Sequence, residues 1–559
     1  MISLGINIGH DRGAAIVKNG VLIGAIAQER VDRKKHSPSF HIPYMAINHL
    51  LNYLDINFEE VDIVGISSTA IDANNLVELY RKELQSYYKT SNFEMIPVSH
   101  HQSHAYATYF TSDFEEAVIL VADGGGEIVG ELEESESIFE FKNNIMLCKE
   151  QRVQSQFIHA LSRPQNFLYS FMNSNFFDEK ISIGKKYEQI TRLIGFGWGE
   201  EGKTMGLSSY GECTYHKNCN PLDNINFDLT FVDLIDIIEK DYKKSGKRFF
   251  QFITDNRANI AKSVQQYAEE QILELVKYII KKYKTKNICL SGGLFLNCPL
   301  NQKILESFDD VKIHICPASG DDGQAIGNAF AAYSKIGHIK NTSNVLPYLG
   351  IEYSTNEILV AIKNKGQNYK YYNDEELAKY VAQSIYNNKI IGFFHGRSEI
   401  GPRALCHRSI LANPCWDGMK DYLNEKVKHR ESFRPFAPVV TSDNQFEIFN
   451  LKQESPYMLL ATSVNENFKS RIPSVTHVDG SARVQSISKE KDLLVFKILK
   501  EFEKISGVPV ILNTSFNDNG EPIVESPEDA INTFLNTNID ILILENFIIE
   551  KANHTPKGI

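Results

Sequence analysis

The chain opens with apolar segments that are separated by glycine-containing turns. Residues 2–27, ISLGINIGHDRGAAIVKNGVLIGAIA, predict three strands, the second and third joined at Asn19-Gly20. Asn-Gly between two apolar runs is a strong hairpin signal. A second copy of this pattern, AVILVADGGGEIVGELEE, begins near Val118. The repeat predicts a duplicated α/β fold with a cleft between its halves.

Strands and helices then alternate along the first half of the chain. Residues 43–92 indicate a helix, the strand VDIVGIS and another helix. Residues 258–284 carry apolar side chains at helical spacing and predict the clearest helix of the chain. The strands NICLS and VKIHI each lead into a glycine turn and a helix. This alternation favours a largely parallel sheet.

A polar stretch from Gly337 to Glu357 interrupts the pattern and predicts a domain boundary. We expect a first domain over residues 1–345 and a second over 355–559. The second part has its own α/β pattern, with a helix near 374–388 and the strands IIGFFHG and VPVILNTSF. A length of 559 residues is too great for one ordinary domain, which also favours two.

Composition and charge narrow the class of protein. The net charge of −11 disfavours nucleic acid as the main partner. No basic segment precedes the first apolar run, and no apolar run approaches the length of a membrane span. The eight cysteines form no C-x-x-C pair and are interpreted as reduced thiols. We expect a cytoplasmic protein that binds neither nucleic acid nor membrane.

Four glycine turns follow apolar strands in the first half of the chain: NIGHDRGAA, ADGGGE, SGGLFLN and SGDDGQA. Glycine lets backbone N–H groups approach an anion closely, although one such turn is more often only a turn. Four of them in a duplicated fold predict a nucleotide cleft. Gly124 and Gly125, in the second turn, are expected to bind the nucleotide.

The segment SHHQSHA carries three histidines, and two of them are four residues apart. On a helix His100 and His104 share one face and can bind one metal ion. The equally weighted alternative is an ordinary buried or solvated pair, and His101 between them is interpreted as structural. Asp123 and Asp321 end strands of the same half, and two imidazoles with two carboxylates suit iron, manganese or zinc.

Residues 395–436 hold eight Lys and Arg against five Asp and Glu, in a chain that is acidic overall. Arginine binds phosphate through two parallel hydrogen bonds, so this region predicts a site for a compact anion. A solvated basic face is the alternative, but rigid turns such as GPRAL and FRPFAP favour a site. The candidates are Arg397, Arg403, Arg408, Lys428, Arg430, Arg434 and, further on, Arg483. The neutral hydrogen-bonding candidates are Asn513, Thr514, Ser515 and Asn517.

These motifs together resemble the NodU/CmcH carbamoyltransferase family. The resemblance rests on HDRGAA, HHQSHA, ADGGGE, GKTMGLSSYGE, SGGLFLN, GDDGQAIG, GRSEIGPRALCHRSILANP, KHRESFRPFAP, HVDGSARVQ and LNTSFNDNGEPIV, in this order. It implies a duplicated actin-like ATPase (ribonuclease H-like) N-terminal domain, similar to TsaD, and a YrdC-like α/β C-terminal domain. It also implies that carbamoyl phosphate and ATP form carbamoyl-adenylate in the second domain, and that the first transfers the carbamoyl group to a hydroxyl.

The resemblance assigns roles to individual residues. His10 is implied as the base at the acceptor hydroxyl, and Gly292, Gly293 and Asn297 as the adenosine-side loop. The implied metal ligands, for Fe(II) or else Mn, Zn or Mg, are His100, His104, Asp123 and Asp321. The residues implied around carbamoyl phosphate and ATP are Arg403, Lys428, Arg434, Phe436, Arg483, Asn513 and Ser515.

The acceptor is expected to be a small hydroxylated natural product, which the sequence does not identify. Either Lys34 or Lys35 is implied near the first site, and Glu212 is a weaker member of the acceptor pocket. Segments 145–200 and 210–219 are expected to shape that pocket. Two other functions stay open, namely a tRNA threonylcarbamoylation-type enzyme and an ATPase or kinase on the same scaffold. A homodimer is also left open.

Overall fold

A computed structural model describes residues 1–68, 74, 77–129, 132–155, 181–216, 234–339 and 347–551. Contacts between its Cα atoms divide the chain into two compact units. The first unit comprises Met1–Leu22, Pro38–Pro43 and Asn57–Asn344, and the second comprises Ile23–Ser37, Tyr44–Ile56 and Val345–Ile559. No pattern in the sequence indicated that two segments from the first 56 residues belong with the C-terminal half.

Twenty strands form three sheets in the described residues. They are β1 (Ile2–Ile8), β2 (Gly13–Lys18), β3 (Val21–Ala27), β4 (Ile63–Ser68), β5 (Glu94–Pro97), β6 (Ala117–Ala122), β7 (Ile128–Val129), β8 (Leu132–Lys142), β9 (Ile145–Ser155), β10 (Asn287–Ser291), β11 (Lys312–Ile315), β12 (Lys370–Tyr371), β13 (Ile391–Phe394), β14 (Arg408–Ala412), β15 (Ala437–Thr441), β16 (Leu460–Ser463), β17 (Ser481–Ile487), β18 (Val510–Ser515), β19 (Ile541–Leu544) and β20 (Phe547–Glu550).

Helices connect these strands and cover the sheets. They are α1 (Gln28–Asp32), α2 (Tyr44–Tyr53), α3 (Val77–Tyr88), α4 (His100–Phe110), α5 (Ile183–Leu193), α6 (Glu201–Ser208), α7 (Leu234–Ser245), α8 (Phe249–Tyr283), α9 (Cys298–Ser307), α10 (Gln324–Tyr333), α11 (Thr355–Asn364), α12 (Asp374–Tyr386), α13 (Met419–Tyr422), α14 (Gln445–Ile448), α15 (Glu466–Lys469), α16 (Leu493–Ser506) and α17 (Pro527–Asn536). No helix among the described residues, including the 35-residue α8, is long and apolar enough to cross a membrane.

Two sheets of the first half share one topology. Their orders are β3-β2-β1-β4-β5 and β9-β8-β6-β10-β11, with the short β7 also paired to β8. In each sheet the central strand, β1 or β6, has an antiparallel partner on one side and two parallel strands on the other. The predicted α/β class and its duplication are therefore confirmed. The predicted hairpin at Asn19-Gly20 is present, and both residues have positive φ, 52° and 81°.

Helix α10 is the central element of the first unit, and every one of its side chains is buried. It packs against β1, β4 and α4. Close approach requires glycine at the contacts: a Cβ at Gly5 would lie 1.9 Å from the Ala325 carbonyl oxygen, and one at Gly327 would lie 1.9 Å from that of Ser103. Gln324 also donates from Nε2 to the His100 carbonyl, at 3.1 Å. Helix α10 thereby fixes α4, which carries the paired histidines.

The second unit is built on one nine-stranded sheet, in the order β12-β20-β19-β13-β14-β18-β15-β17-β16. Helices α12 and α16 pack together, and both contribute to the hydrophobic core of this unit. The predicted helix near 374–388 corresponds to α12, and the two predicted strands correspond to β13 and β18. The helix predicted from residue 258 begins nine residues earlier, because Phe252 and Ile253 continue its buried face beyond a polar interruption.

The cysteines agree with the expectation of reduced thiols. The described ones are all free, and Cys289, Cys298, Cys316 and Cys406 are buried. Cys219 lies outside the described residues.

Replacing Gly327 with alanine should destabilise the first unit, because the new methyl group would overlap the Ser103 carbonyl between the two histidines of α4. Overpacking of this kind costs about 1–3 kcal/mol of unfolding free energy. Denaturant unfolding would measure it. Gly202→Ala in α6 is the control, since nothing lies within 4 Å of a Cβ at this position. It should not destabilise the chain, because alanine stabilises a helix by about 0.5–1 kcal/mol relative to glycine. Equal stability of the two variants would contradict the proposed role of this contact.

Candidate active site

The paired histidines lie at the start of α4. Ser99 caps this helix, with its Oγ accepting a hydrogen bond from the Gln102 N–H. His100 and His104 are one turn apart and buried, and their Nε2 atoms face the same two carboxylates. The Nε2 atoms lie 3.2 and 3.1 Å from Asp123 Oδ2, and 3.2 and 3.3 Å from Asp321 Oδ1. We call these four residues the histidine–aspartate cluster.

The two aspartates reach the cluster from the segments that follow β6 and β11. Asp123 follows β6, and Asp321 opens a short 3-10 helix, Asp321–Gly323, before α10. The N–H groups of Gly124 and Gly293 donate to Asp123 Oδ1, at 2.8 and 3.2 Å. Two of the predicted glycine turns therefore orient this carboxylate, and they leave Oδ2 to face the histidines.

The donor set of the cluster fits a divalent metal ion. One ligand atom from each of the four residues lies within 4.8 Å of the others. Ser291 Oγ lies 3.3 Å from Nδ1 of His104, the kind of outer contact that holds a metal-binding imidazole in one orientation. Two imidazoles and two carboxylates suit iron, manganese or zinc equally, so the geometry supports a metal site without selecting the metal.

Charge is balanced tightly within the cluster. Burial by itself lowers the pKa of His100, but Asp321 and Asp123 outweigh it and raise that pKa well above its ordinary value. The pKa of His104 is likewise raised by both carboxylates against the effect of burial. Burial opposes ionisation of Asp123, yet the two histidines lower its pKa well below the usual range. The two carboxylates therefore require a balancing positive charge within the cluster, either protons on the histidines or a bound cation.

His101 belongs to a different network, as the sequence indicated. Its Nδ1 lies 2.7 Å from Ser137 Oγ, and its backbone N–H donates to Glu134. Burial lowers its pKa to about 4, so it is neutral at physiological pH.

His10 is the half-buried neighbour of the cluster. It lies in the turn after β1, with its side chain 35% exposed. Nδ1 is 2.9 Å from Asp11 Oδ2, and Nε2 is 3.3 Å from Asp321 Oδ2. Burial works to lower the pKa of His10, but Asp321 and Asp11 together raise it to about 9. The edge of its ring meets Trp198 at a centroid distance of 5.1 Å.

The remaining predicted nucleotide-binding residues differ in what surrounds them. A Cβ at Gly124 would meet nothing within 4 Å, so this turn presents open backbone. Gly292 has a φ of 102° and lies against the Ala122 carbonyl, which explains the glycine. Asn297 caps α9, and its amide exchanges hydrogen bonds with Gln265, at 2.8 and 2.9 Å. The side chain of Asn297 therefore has a structural role, in addition to its position next to the Gly292–Gly293 loop.

A buried polar layer behind Gly124 was not anticipated from the sequence. A Cβ at Gly125 would lie 2.0 Å from Glu133 Oε1. Gln154 donates to Glu133 Oε2 at 2.9 Å and to the Gly124 carbonyl at 3.3 Å, and Ser182 Oγ donates to that carbonyl at 2.9 Å. The alternating charges of ELEESES look like an exposed strand, so only the fold shows that Glu133 is buried.

The predicted acceptor-pocket residues are placed in different parts of the chain. Lys34 and Lys35 are exposed and belong to the second unit. Glu212 is exposed in the first unit, where its N–H donates to Asn259 of α8. Residues 156–180 and 217–219 of the predicted pocket segments lie outside the described residues. Trp198 is the pocket candidate that contacts His10.

The second unit holds a cluster of buried and half-buried cations. Lys428 is buried, and its Nζ donates to the backbone carbonyls of Ser515 and Asn517, at 3.0 and 2.6 Å. Burial, followed by the charges of Arg430 and Arg434, lowers the pKa of Lys428 well below its ordinary value. The charge of Lys35 acts in the same direction, after these larger causes.

Arg430 extends this group of like charges. Burial, then Arg434 and Arg483, lower the pKa of its guanidinium well below the usual value. The guanidinium lies over the Phe436 ring, 4.6 Å from its centroid. Lys428, Arg430, Arg434 and Arg483, termed the cation cluster below, thus include three residues predicted around carbamoyl phosphate and ATP. Arg434 lies 3.9 Å from Glu431, which balances part of the charge.

An amide pair lies on the same sheet face as the cation cluster. Asn513 and Ser515 share one face of β18, and Arg483 and Gln485 share one face of β17, since side chains two apart in a strand point the same way. Asn513 donates to Gln485 Oε1 at 3.0 Å and to the Ala404 carbonyl at 3.1 Å, beside Arg403. Asn513 Oδ1 and Gln485 Nε2 are buried without a hydrogen-bond partner among the described residues.

Arg397 and Arg408, anion-site candidates in the sequence, instead hold the backbone together. Arg397 donates to the carbonyls of Leu349 and Gly350, at 2.6 and 2.8 Å. Arg408 is fully buried, stacks on Phe394 and donates to several carbonyls, including that of His395 at 3.0 Å. Sequence reasoning cannot separate such arginines from ligand-binding ones, because both sit in the same basic region.

Comparison with known proteins bears on both units. Residues 70–330 match the family model described as "Carbamoyltransferase N-terminus", and residues 382–551 match "Carbamoyltransferase C-terminus". Nodulation protein NolNO of Sinorhizobium fredii is 31% identical over 98% of this chain and 80% of that protein. The chain belongs to the carbamoyltransferase family. It is accordingly a carbamoyltransferase enzyme, as its sequence motifs predicted.

Two further nodulation proteins match a smaller share of the carbamoyltransferase. Nodulation protein NolO of Bradyrhizobium diazoefficiens is 31% identical over 81% of this chain and 79% of that protein. Nodulation protein U of Rhizobium tropici is 37% identical over 42% of this chain and 39% of that protein. A solved structure of full-length HypF in the phosphate- and nucleotide-bound form is 16% identical, with a TM-score of 0.40, and covers 60% of this chain and 56% of that one.

Removing one imidazole from the histidine–aspartate cluster should cost the carbamoyltransferase one bound metal ion. We expect His104→Ala to hold one equivalent less than the unaltered chain, because its Nε2 faces both carboxylates. Elemental analysis of the purified proteins measures this. His101→Gln is the matched control, being a buried neighbour on the same helix outside the donor set. Loss of metal from both variants, or from neither, would refute the assignment.

The buried Lys428 predicts a particular pH dependence of stability. Its folded pKa lies below the ordinary lysine value of about 10.4, so between these values the unfolded chain binds more protons. In that window the unfolding free energy rises with pH, and it falls again as pH returns to neutral. The unfolding free energy of the wild type minus that of Lys428→Met, measured with denaturant, should therefore increase as pH rises toward the ordinary lysine value of about 10.4. Lys426 is an exposed neighbour, and Lys426→Met should show no such increase. A difference that does not change with pH for Lys428→Met would contradict the lowered pKa of Lys428.

Proposed function

We propose that the chain is an ATP-dependent O-carbamoyltransferase that forms carbamoyl-adenylate in its second unit and transfers the carbamoyl group to a hydroxyl in its first. The proposal rests chiefly on one sheet face, where the amide pair Asn513 and Gln485 adjoins the cation cluster. Phosphate requires cations, and a carbamoyl amide requires one acceptor and one donor side by side. This face offers both.

The first reaction balances in two steps. Water releases phosphate from carbamoyl phosphate, and an oxygen of the resulting carbamate attacks the α-phosphorus of ATP with loss of pyrophosphate. Lys428 and the neighbouring arginines neutralise the phosphate charges, and the buried Oδ1 of Asn513 accepts from the carbamoyl NH₂. Gln485 Nε2, which is also buried, would donate to the carbamoyl oxygen.

In the second reaction the acceptor oxygen attacks the carbamoyl carbon, AMP leaves, and the hydroxyl proton passes to His10. The Asp11 carboxylate accepts a hydrogen bond from Nδ1–H of His10. Nε2 is therefore the atom that receives the proton of the acceptor hydroxyl. As long as no cation balances the negative charge of Asp321, this charge keeps Nε2 of His10 protonated at neutral pH. Neutralisation of Asp321 would therefore lower the pKa of His10 and free Nε2 to act as a base.

A metal ion held by His100, His104, Asp123 and Asp321 would supply that neutralisation and positive charge for the nucleotide phosphate. Fe(II) is the metal that the sequence resemblance implies. The open backbone at Gly124 is the proposed approach for the phosphate.

The acceptor is proposed to be a small hydroxylated natural product. Trp198 is 44% exposed and meets His10 edge to face, so it offers an aromatic surface next to the base. A tRNA-modifying enzyme is less well supported, because the chain has a net charge of −11. A simple ATPase or kinase would leave the cation cluster and the amide pair without a ligand.

The two reactions should separate by mutation. His10→Ala should keep pyrophosphate release from ATP and carbamoyl phosphate within about twofold, yet lower transfer to an acceptor by about 10²-fold or more, the usual effect of losing a general base. Acceptors are screened by the mass increase of one carbamoyl group. His41→Ala, an exposed histidine of the same unit, is the control. Equal loss of both reactions would refute the division of labour.

Arg483→Ala should instead impair the first reaction. We expect KM for carbamoyl phosphate to rise at least tenfold, because Arg483 adds to the cation cluster and lies two residues from Gln485 on one face. Steady-state pyrophosphate release measures it. Arg471→Ala removes an exposed arginine of the same unit and should change nothing. An unaltered KM in Arg483→Ala would remove this residue from the site.

A further inference from the structure

A second group of metal-binding side chains lies in the second unit, apart from the cation cluster's residues. One ring nitrogen of His395, one of His407 and a carboxylate oxygen of Asp492 lie within 4.8 Å of one another. His407 and Asp492 are buried, and His395 is 26% exposed at its side chain. The imidazole rings of the two histidines are 5.2 Å apart at 71°.

The hydrogen bonds fix which nitrogen of His407 carries its proton. Nδ1 lies 2.6 Å from the Arg397 carbonyl oxygen, which can only accept, so Nδ1 carries the hydrogen. In the neutral ring Nε2 then has a lone pair, yet it lies 3.1 Å from Asp492 Oδ2, another acceptor. Two acceptors at this distance require a proton or a cation between them. Stacking on Tyr348, at 3.5 Å, holds the ring in this orientation.

His395 is oriented in the same way. Its Nδ1 is 2.7 Å from Glu545 Oε2, and the other oxygen of Glu545 accepts from the Gly396 N–H at 2.6 Å. Nε2 is thus the atom left for a further ligand. A metal-binding histidine characteristically donates its other N–H to a carboxylate or a carbonyl. His395 has the first kind of partner and His407 has the second.

Asp492 can bind a cation without giving up its structural role. Its Oδ1 accepts from the Val495 N–H at 3.0 Å and caps α16, so Oδ2 alone faces His407. The loop between β13 and β14 that carries both histidines is itself rigid, because the buried Arg408 donates to the carbonyls of His395 and Gly396. Each of the three side chains is therefore held by a hydrogen bond outside the group, and their ligand atoms lie within 4.8 Å of one another.

We propose that His395, His407 and Asp492 form a second metal site that binds Zn²⁺ and ties the β13–β14 loop to the start of α16. Three protein ligands of this kind leave the fourth tetrahedral position to water. The three ligand atoms now lie within 4.8 Å of one another. They must move closer together so that each can form a Zn–N or Zn–O bond of about 2.0–2.2 Å to the same ion. His395 is the least buried of the three and supplies this movement. Because the loop also carries Arg403, the metal would hold that arginine's segment in place.

The test uses the full chain with the first cluster disabled, as His100→Ala with His104→Ala. This parent is titrated with Zn²⁺ against a chromophoric chelator, and with Co²⁺ for its visible absorption. We expect one equivalent to bind, with the Co²⁺ spectrum of a four-coordinate site, and Zn²⁺ to raise Tm. Adding His395→Gln should weaken binding about 100-fold or more and remove the Tm shift, while its amide can still donate to Glu545.

Two further variants keep the result decisive. Asp492→Asn keeps the oxygen that caps α16, removes the charge, and should weaken Zn²⁺ binding as His395→Gln does. His49→Gln, which changes a histidine of the same unit outside the group, should bind as the parent does. The proposal is overturned if the parent binds no Zn²⁺, which would make the group a protonated ion-pair network. It is also overturned if His395→Gln and Asp492→Asn bind as tightly as the parent.

Discussion

The first unit is organised around two carboxylates that are placed against buried imidazoles. Asp123 and Asp321 each approach both histidines of α4 within 3.3 Å. Burying a negative charge costs folding free energy unless a positive or hydrogen-bonding group balances it. Neighbouring elements must therefore hold such groups close to the two carboxylates. The glycine turns, the close packing of α10 on α4, and the position of His10 all serve this balance. In the proposed mechanism, metal binding and the basicity of His10 are linked through a single residue, Asp321.

The second unit meets the opposite problem. Lys428 is buried and Arg430 half-buried beside further arginines, and burial followed by the charges of neighbouring arginines lowers the pKa of both. Such a group is unfavourable for folding on its own and favourable for binding a polyanion. Arg408 shows the contrasting use of a buried arginine, since carbonyl oxygens surround its guanidinium and it needs no ligand.

The sequence predicted those features that depend on local pattern. Alternating strands and helices, the Asn19-Gly20 hairpin and the helical spacing of His100 and His104 required only periodicity and turn chemistry. Features created by long-range packing were missed. Gln485 resembles any polar strand residue, Glu133 resembles an exposed one, and Trp198 has no motif. Arg397 and Arg408 share a basic segment with Arg403, and only their carbonyl partners show that they are structural.

The course of the chain through the two units has a consequence for biosynthesis. Segments Ile23–Ser37 and Tyr44–Ile56 are synthesised before the residues with which they group, which follow hundreds of positions later. Arg33, for example, donates to the carbonyls of Pro522 and Ile523. Most domains can fold in turn as they emerge, but here the second unit stays incomplete until the residues after 345 have been made and can pack with these two early segments. A chain cut near residue 345 would separate these partners, so the two halves of the gene do not correspond to two independently folding proteins.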